Sequence, residues 1–335
     1  MSATYRWIHR VWYEGARSGL VLLPLSGLYW LILKIRALLF RRGMLRSYAA
    51  DVPVIVVGNI TAGGTGKTPT VIWLVEKLRA KGFTPGVVSR GYGGSKSGTS
   101  MRVDSDSDAA VAGDEPVLLA RRGRCPVVVD TDRVRAAAML VEDGVNVIIA
   151  DDGLQHLRLQ RNYEICVVDG ERGMGNGRLL PAGPLREPAE RLESVDQILV
   201  NGATDMPDAI AFELVATDAC RLNGSLARPL HRFKDTTVHA VAGIGNPQRF
   251  FDLLRAYGIQ VIEHSFPDHA TITKSQIEFG DNFDVFMTEK DAVKLGGNLS
   301  DKVWFVPVDL NMDPFEANAL IEGIEMRLRS CGDSR

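Results

Sequence analysis

The sequence predicts an α/β fold on a mostly parallel sheet, and three observations carry that prediction. Short apolar, β-branched runs alternate with stretches of helical periodicity, the pattern of strands covered by helices on both faces. The first run, Val54–Val57, leads into a turn with Gly63, Gly64 and Gly66, then Lys67, Thr68 and a helix carrying Trp73, Leu74 and Leu78. A later run, Val145 to Ala150, ends in the adjacent carboxylates Asp151 and Asp152 and in Gly153.

Strand, glycine turn, Lys-Thr and helix is the phosphate cradle of P-loop nucleotide-binding proteins. Glycines let backbone N–H groups approach phosphates, and the helix N-terminus adds partial positive charge. The nucleotide contacts expected here are Thr61, Ala62, Gly63, Gly64, Thr65, Gly66, Lys67, Thr68 and Pro69, with Asn59 just before them. Thr61 stands where the usual P-loop pattern has its first glycine. Lys67 reaches the β- and γ-phosphates and the Thr68 hydroxyl ligates Mg²⁺. A strand tip with Asp151 and Asp152 beside a P-loop supplies the second part of a Mg²⁺ site.

The chain has 335 residues, 45% hydrophobic and 24% charged, enough for about two globular domains. Its four cysteines are scattered and form no CxxC pair, which fits reduced thiols and excludes a disulfide or zinc framework. The net charge of -2 is unevenly spread. Residues 1–50 hold eight Lys/Arg (Arg6, Arg10, Arg17, Lys34, Arg36, Arg41, Arg42, Arg46) against Glu14 alone, a net +7 that leaves -9 for the rest. In the same head, Gly19 to Leu33 is fifteen residues without a charge, short of the ~20 that span a bilayer. Trp7, Trp12, Tyr13, Tyr29 and Trp30 interleave with the basic residues, which predicts a helix lying on an anionic membrane surface rather than a cleaved signal peptide.

Beyond the P-loop helix, Thr84 to Arg90 reads as a strand that opens into Gly91-Tyr-Gly-Gly94, at the end of a sheet where α/β proteins bind ligands. Ser95 to Asp108 is polar and reads as a mobile loop, and Gly113-Asp-Glu-Pro116 opens a short helix. Strand Pro126 to Asp130, helix Arg133 to Asp143, strand Glu164 to Asp169 and strand Gln197 to Asn201 follow. Between the last two lies a long Gly/Pro loop in which Pro184 and Pro188 frame Arg186 and Glu187; loops of that length are commonly functional. A second α/β unit begins at Val238, with helix Pro247 to Tyr257, strands Gln260 to His264, Val285 to Thr288 and Val303 to Val308, and a closing helix from about Pro314 to Arg329. It has no phosphate loop of its own, and a substrate cleft is expected between the two units. The organisation expected is a basic apolar head (1–50), a P-loop nucleotide and Mg²⁺ domain (51–205), a linker with short strands (206–235) and a smaller α/β domain that closes the cleft (236–335).

With two carboxylates committed to metal, Asp114 is the best remaining acid to take a proton from an acceptor hydroxyl. Its competing role is that of a helix cap.

These residues together resemble the tetraacyldisaccharide 4′-kinase family, the lipid A kinases. The resemblance rests on VGNITAGGTGKTP (57–69), SRGYGG (89–94), GDEP (113–116), DDGLQH (151–156), LLPAGPLREP (179–188), FPDH (266–269) and TEKDAVK (288–294), in order over most of the chain. It implies an ATP- and Mg²⁺-dependent kinase that moves the γ-phosphoryl to the 4′-hydroxyl of a tetraacylated glucosamine disaccharide 1-phosphate. It implies a place on the cytoplasmic face of the bacterial inner membrane, with neither nucleic acid nor an obligatory protein as partner. Asp114 and His269 match the family's catalytic Asp and supporting His, beside Lys67 and Arg186. Thr68, Asp151, Asp152 and Glu187 are the metal candidates; Asn59, Arg90, Tyr92, Gln155, His156 and Arg186 are the substrate candidates. The competing class is a P-loop switch ATPase of the partitioning or metal-chaperone type, but its signature lysine would fall at position 62, which is Ala62.

Overall fold

A sheet of nine strands carries the phosphate loop at its centre, and a second sheet of six strands stands across a cleft from it. The computed structural model describes residues 3–95, 98–222, 224, 226–295 and 300–332; Lys96 and Ser97 of the polar loop and the side chain of Cys331 lie outside the described residues. The chain begins with helix α1 (Ala3–Tyr13), a 3₁₀ turn (Arg17–Leu22) and α2 (Leu23–Arg41). Next come β1 (Val54–Gly58), α3 (Lys67–Ala80), β2 (Pro85–Ser89), β3 (Met101–Val103), α4 (Ala109–Ala112), α5 (Asp114–Gly123), β4 (Val127–Val129), α6 (Arg133–Glu142), β5 (Val147–Asp151), β6 (Tyr163–Asp169), β7 (Gln197–Asn201) and β8 (Ala209–Val215). The second unit holds β9 (Asp218–Arg221), β10 (Ala227–Pro229), β11 (Thr237–Ala242), α7 (Pro247–Ala256), β12 (Gln260–Ser265), β13 (Asp284–Thr288), α8 (Glu289–Ala292) and β14 (Val303–Val306). The chain closes with β15 (Asp309–Met312) and α9 (Pro314–Gly332).

The large sheet runs β15-β8-β7-β6-β1-β5-β2-β4-β3 and is parallel except at its two edge strands, β15 and β3. β1, β2, β4 and β5 are buried along their whole length, as expected for central parallel strands with helices on both faces. The small sheet runs β10-β9-β14-β13-β11-β12.

Two departures from the sequence-based outline matter. The stretch expected as a linker contains β8, which pairs parallel to β7 and extends the first sheet. After β14 the chain returns to that sheet: β15 pairs antiparallel to β8, and Leu320, Ile321, Ile324 and Leu328 of α9 share one core with Val71, Leu74 and Leu78 of α3. The last strand and helix therefore belong with the first body. Pairing across so many residues leaves no local mark on a sequence.

The N-terminal head is two helices, not one. α2 is docked through polar groups on one side: the Ser26 hydroxyl donates to the Leu179 carbonyl (2.9 Å), the Tyr29 hydroxyl to the Arg186 carbonyl (2.8 Å) and the Arg36 guanidinium to the Gln155 carbonyl (2.8 Å). Leu20, Val21, Leu25, Leu28, Leu31, Ile32 and Ile35 stay exposed. The run Arg17–Arg41 is long and apolar enough to cross a membrane by length and composition. Its hydrogen bonds hold one side of it against the body.

Because Leu320 is buried in the first core from a helix at the far end of the chain, Leu320→Ala should cost about 2–5 kcal/mol of stability. Urea unfolding of the two proteins, followed by tryptophan fluorescence, measures the difference.

Candidate active site

β1 is completely buried and delivers the glycine loop to the sheet's C-terminal edge. Gly66 has φ 103°, a backbone shape that favours glycine, and a Cβ there would meet the Asn201 amide at 3.1 Å and the Phe212 ring at 3.3 Å. Asn201, at the end of β7, donates to the Thr65 carbonyl (3.3 Å). Arg172, itself paired with Asp169 (3.0 Å), donates to the Gly64 carbonyl. The cradle is thus braced from neighbouring strands before any phosphate arrives.

Lys67 begins α3, and its Nζ lies 3.6 Å from Asp152 Oδ1. Arg186, from the Gly/Pro loop, reaches the same carboxylate at 2.9 Å. Asp152 sits at φ 47°, an uncommon backbone shape for a residue other than glycine, asparagine or aspartate in a turn. The buried Arg133 supports that turn by donating to the carbonyls of Asp151 and Asp152, each at 3.3 Å. Burial alone would raise the Asp152 pKa, but the charges of Lys67 and Arg186 outweigh it and hold the carboxyl below its ordinary value. Asp151 behaves oppositely. It is buried, accepts from the Ser89 hydroxyl at 3.1 Å, and burial with the nearby charges of Glu115 and Asp152 pushes its pKa up.

The second body contributes three segments. The loop Gly243-Ile-Gly-Asn246 follows β11 and leads into α7, so a strand, glycine turn and helix start here also face the cleft. A Cβ on Gly245 would come within 2.7 Å of the Gly64 backbone nitrogen, so glycine is what lets this loop approach the P-loop. The Phe266–His269 loop and α8 then converge on the start of α5. His269 Nδ1 lies 3.1 Å and 3.2 Å from the two oxygens of Asp114. Lys294 Nζ is 3.3 Å from Asp114, and Lys290 Nζ is 2.9 Å from Glu115 and 3.4 Å from Asp268. Arg122, at the other end of α5, pairs with Glu289 (2.8 Å) and Asp309.

Asp114 does not cap its helix; Gly113 holds that position. Burial would raise the Asp114 pKa, but the hydrogen bond from His269 and the charges of Lys290, His269 and Lys294 bring it down to about 2. For His269, burial and Lys290 oppose the imidazolium, while the bond and charge of Asp114 favour it, and the balance raises its pKa. His269 adopts φ 59°, and the Tyr92 ring packs edge-on against it, centroids 4.8 Å apart.

The cleft between the bodies has a volume of about 480 Å³. Gly63 to Pro69, Asp152 and Arg186 line one wall, and Asn246, Arg249, Asp268, His269 and Lys290 the other. Ile72, Leu118, Leu214, Phe250, Leu253 and Val308 line an apolar part of it. The hard oxygen donors available, Thr68 and Asp152 with Asp151 behind them, suit Mg²⁺, which keeps several waters and is usually held through one or two carboxylates plus phosphate. No cluster of three or more His, Cys, Asp or Glu side chains that could hold a metal occurs among the described residues.

Of the expected site residues, Gly63–Pro69, Tyr92, Asp152, Arg186 and His269 line the cleft. Asn59 does not: it is fully buried, and its amide donates to the Thr61 and Gly63 carbonyls (2.8 and 3.3 Å), so it shapes the P-loop rather than meeting substrate. Thr61 bridges Leu185, and the Ala62 N–H donates to the Pro184 carbonyl (2.7 Å); both tie the P-loop to the Gly/Pro loop. Glu187 is turned to Gln155 (2.6 Å) and Arg191 (3.5 Å), outside the lining, which takes it out of the metal set in this arrangement. Gln155 spends its amide on Glu187 and the Asn59 carbonyl, and His156, its pKa pushed down to about 4 by burial and the Arg133 charge, is not in the lining either. Arg90 is exposed at the mouth of the β2 loop, and Asp114 lies behind His269. Glu115, Asp268, Lys290 and Arg249 were not singled out by sequence; only their place in the GDEP, FPDH and TEKDAVK motifs marks the first three.

Residues 18–328 match the family described as Tetraacyldisaccharide-1-P 4'-kinase. A "Tetraacyldisaccharide 4'-kinase" of Pseudomonas aeruginosa (strain LESB58) is 48% identical over 306 residues, 90% of this chain and 92% of that protein. One of Nitrosococcus oceani is 47% identical over 308 residues, covering 91% of this chain and 90% of the relative. Among solved structures, an "apo" form of the Aquifex aeolicus family member in complex with ATP superposes with a TM-score of 0.77 at 30% identity, over 92% of this chain and 99% of that one. With the phosphate cradle, the paired carboxylates and the Asp–His pair all in place, the chain belongs to the tetraacyldisaccharide-1-P 4′-kinase family.

Proposed function

We propose that the cleft transfers the γ-phosphoryl of ATP to the 4′-hydroxyl of a tetraacylated glucosamine disaccharide 1-phosphate, with the roles below. The observation that carries the assignment of roles is the convergence of Lys67, Asp152 and Arg186 with His269–Asp114 on one cleft from two bodies. A switch ATPase needs the first group but has no use for the second.

The glycine loop, Lys67 and the start of α3 hold the β- and γ-phosphates. Thr68 and Asp152 hold Mg²⁺, with Asp151 behind; when bound, the metal neutralises charge on the phosphates. Arg186 leaves Asp152 for a phosphate or for the substrate's own phosphate, a bidentate partner that suits a guanidinium. The Asp114–His269 pair accepts the hydroxyl proton as a unit. His269 faces the cleft, and Asp114 orients the ring and balances the charge that forms on it. Tyr92, exposed at the cleft mouth, and the exposed Arg90 beside it would meet the sugars or their phosphate.

The acyl chains require an apolar surface beside this cleft. α2 offers one, tied through Tyr29 to Arg186 and through Arg36 to Gln155, with basic residues around it. The head is accordingly assigned to the cytoplasmic surface of the inner membrane, peripheral rather than spanning.

Transfer of labelled γ-phosphate to the lipid disaccharide in mixed micelles tests the roles. Lys67→Ala should abolish transfer and leave the fold intact; near-normal turnover would remove the P-loop role. Asp114→Asn should lower kcat by about 10²–10⁴-fold with little change in ATP affinity. The double variant with His269→Ala should be scarcely worse than Asp114→Asn, because residues that act as a unit are not additive.

The pair also makes stability depend on pH. A carboxyl held at about 2 instead of 3.8 stabilises the fold fully above about pH 4, by ~2 kcal/mol, and that share is lost as pH falls toward 2. The raised His269 contributes below about pH 6.5, and its share is lost as pH rises through its folded pKa. Urea titrations of wild type and Asp114→Asn should therefore differ most near pH 5 and converge near pH 2.

Full-length protein should float with anionic vesicles, less so as salt rises, and a chain starting near Ala50 should float less. Equal flotation would mean that the head serves the fold alone.

A further inference from the structure

Lys290 has no part in the roles above, yet it touches the group that would take the proton. It comes from α8 on the second body and lies on the cleft wall. Its ammonium bonds Glu115 at 2.9 Å and Asp268 at 3.4 Å, and it stands 3.3 Å from His269 Nε2. An ammonium has only donors, so at this contact Nε2 must be the acceptor. His269 Nδ1 is then the ring nitrogen that bears hydrogen and donates to Asp114 (3.1 Å). The two contacts are both shorter than the 3.7 Å between Nε2 and Asp268, and together they favour the tautomer of the neutral ring whose Nε2 lone pair is turned to Lys290 at the cleft wall.

We propose that Lys290 is the positioning residue of the transfer step. It holds His269 with its Nε2 lone pair toward the cleft until the acceptor hydroxyl takes over that contact. The proposal rests on the Asp114–His269 reading. In the step itself the hydroxyl oxygen bonds to the γ-phosphorus, its proton passes to His269 Nε2, and the bond from the γ-phosphorus to the bridging oxygen breaks, releasing ADP. The displaced ammonium keeps Glu115 and Asp268 as partners and stays beside the ring.

The second effect is electrostatic. The groups facing the His269 ring are Asp114 at the start of α5, Asp268 on its own loop, Lys290 on α8 and the Tyr92 ring; Lys294 stands behind Asp114. Two carboxylates favour the imidazolium, which is useless as a base, and Lys290 is the cation in direct contact that opposes it. Lys290 thus limits the rise of the ring's pKa and shifts the balance toward the neutral form. Glu115 and Asp268 in turn keep Lys290 charged: burial would lower its pKa, and their charges raise it instead.

The test uses the full-length protein in mixed micelles with Mg-ATP and the lipid disaccharide. Lys290→Met should reduce kcat by roughly a hundredfold, with the ATP KM within about threefold of wild type. Its acid limb in kcat/KM should move up by about one pH unit, since removing the cation raises the pKa of the ring that must be neutral. Activity should therefore recover in part as pH is raised. Lys290→Arg, which keeps charge and donors, should restore the wild-type limb. Imidazole ¹⁵N spectra of His269 give a readout without turnover: the Nδ1–H tautomer should dominate in wild type and lose its dominance in Lys290→Met.

A loss equal at every pH, with the tautomer unchanged, would mean that Lys290 only joins the two bodies and would overturn the proposal. A Lys290→Met protein as active as wild type would overturn it too. Asp114→Asn, assayed alongside, separates the two readings. If it stays active, the dyad itself is wrong; if it is inactive while Lys290→Met keeps the wild-type profile, only the role of Lys290 falls.

Discussion

A carboxylate buried at the start of α5 is the constraint on which the rest of this structure depends. Asp114 is 5% exposed, and an ionised group at that depth is tolerated only when it is paired and hydrogen-bonded. Apart from the Glu115 N–H (2.9 Å), its partners come from the other body. His269 and Lys294 come from the second, Lys290 adds its charge from the same α8, and the neighbouring Glu115 is paired by that Lys290. At the far end of α5 the signs reverse, with Arg122 meeting Glu289 and Asp309. Three residues of TEKDAVK, Glu289, Lys290 and Lys294, thus match the charge pattern of one helix. The contact that docks the second body is also the contact that assembles the Asp–His pair, so the geometry of the pair and the arrangement of the two bodies are set together.

The connectivity serves the same end. The chain leaves the large sheet after β8, builds the small sheet, and returns as β15 alongside β8. Both crossings lie next to each other, because β8 and β15 are hydrogen-bonded neighbours. A pair of adjacent strands is a short axis about which two bodies can approach, and Asp309, the first residue of β15, is tied by Arg122 to the α5–α8 contact. On the opposite side of the cleft, Gly245 against Gly64 and Arg249 against Asp169 (3.3 Å) already bring the second body to the P-loop.

What could be read from the sequence was local in space. The P-loop, the Asp151–Asp152 strand tip and the start of α5 at Asp114 are each specified by residues a few positions apart, and the structure forms all three. The head's composition marked an interface helix, though α1 and the polar contacts of Ser26, Tyr29 and Arg36 were not visible, since their partners lie more than a hundred residues away. For the same reason β15 and α9 were assigned to the wrong body: their own pattern fits either sheet, and only pairing with β8 and packing on α3 decides. Asn59 and Glu187 lie outside the cleft lining, held by the carbonyls of the P-loop and by Gln155, partners that a local reading of sequence does not show. A polar residue beside a phosphate loop is as useful holding the loop's carbonyls, as Asn59 does, as it is meeting ligand.

The docking of α2 links the exposed apolar helix to the phosphate loop through hydrogen bonds. Tyr29 and Ser26 bind carbonyls of the loop that carries Arg186, and that loop's Pro184 carbonyl and Leu185 backbone are bonded to Ala62 and Thr61 at the entrance to the P-loop. The apolar side of α2 that these bonds leave exposed is the side a lipid surface would cover. A substrate held by its acyl chains at that surface would arrive with its sugars at Tyr92 and Arg186, beside the phosphate cradle. Each contact in this series is a backbone or short side-chain hydrogen bond, so it transmits position rather than charge. On the reading proposed above, the head would orient the acceptor without supplying a group to the Asp114–His269 pair that the two bodies form between them.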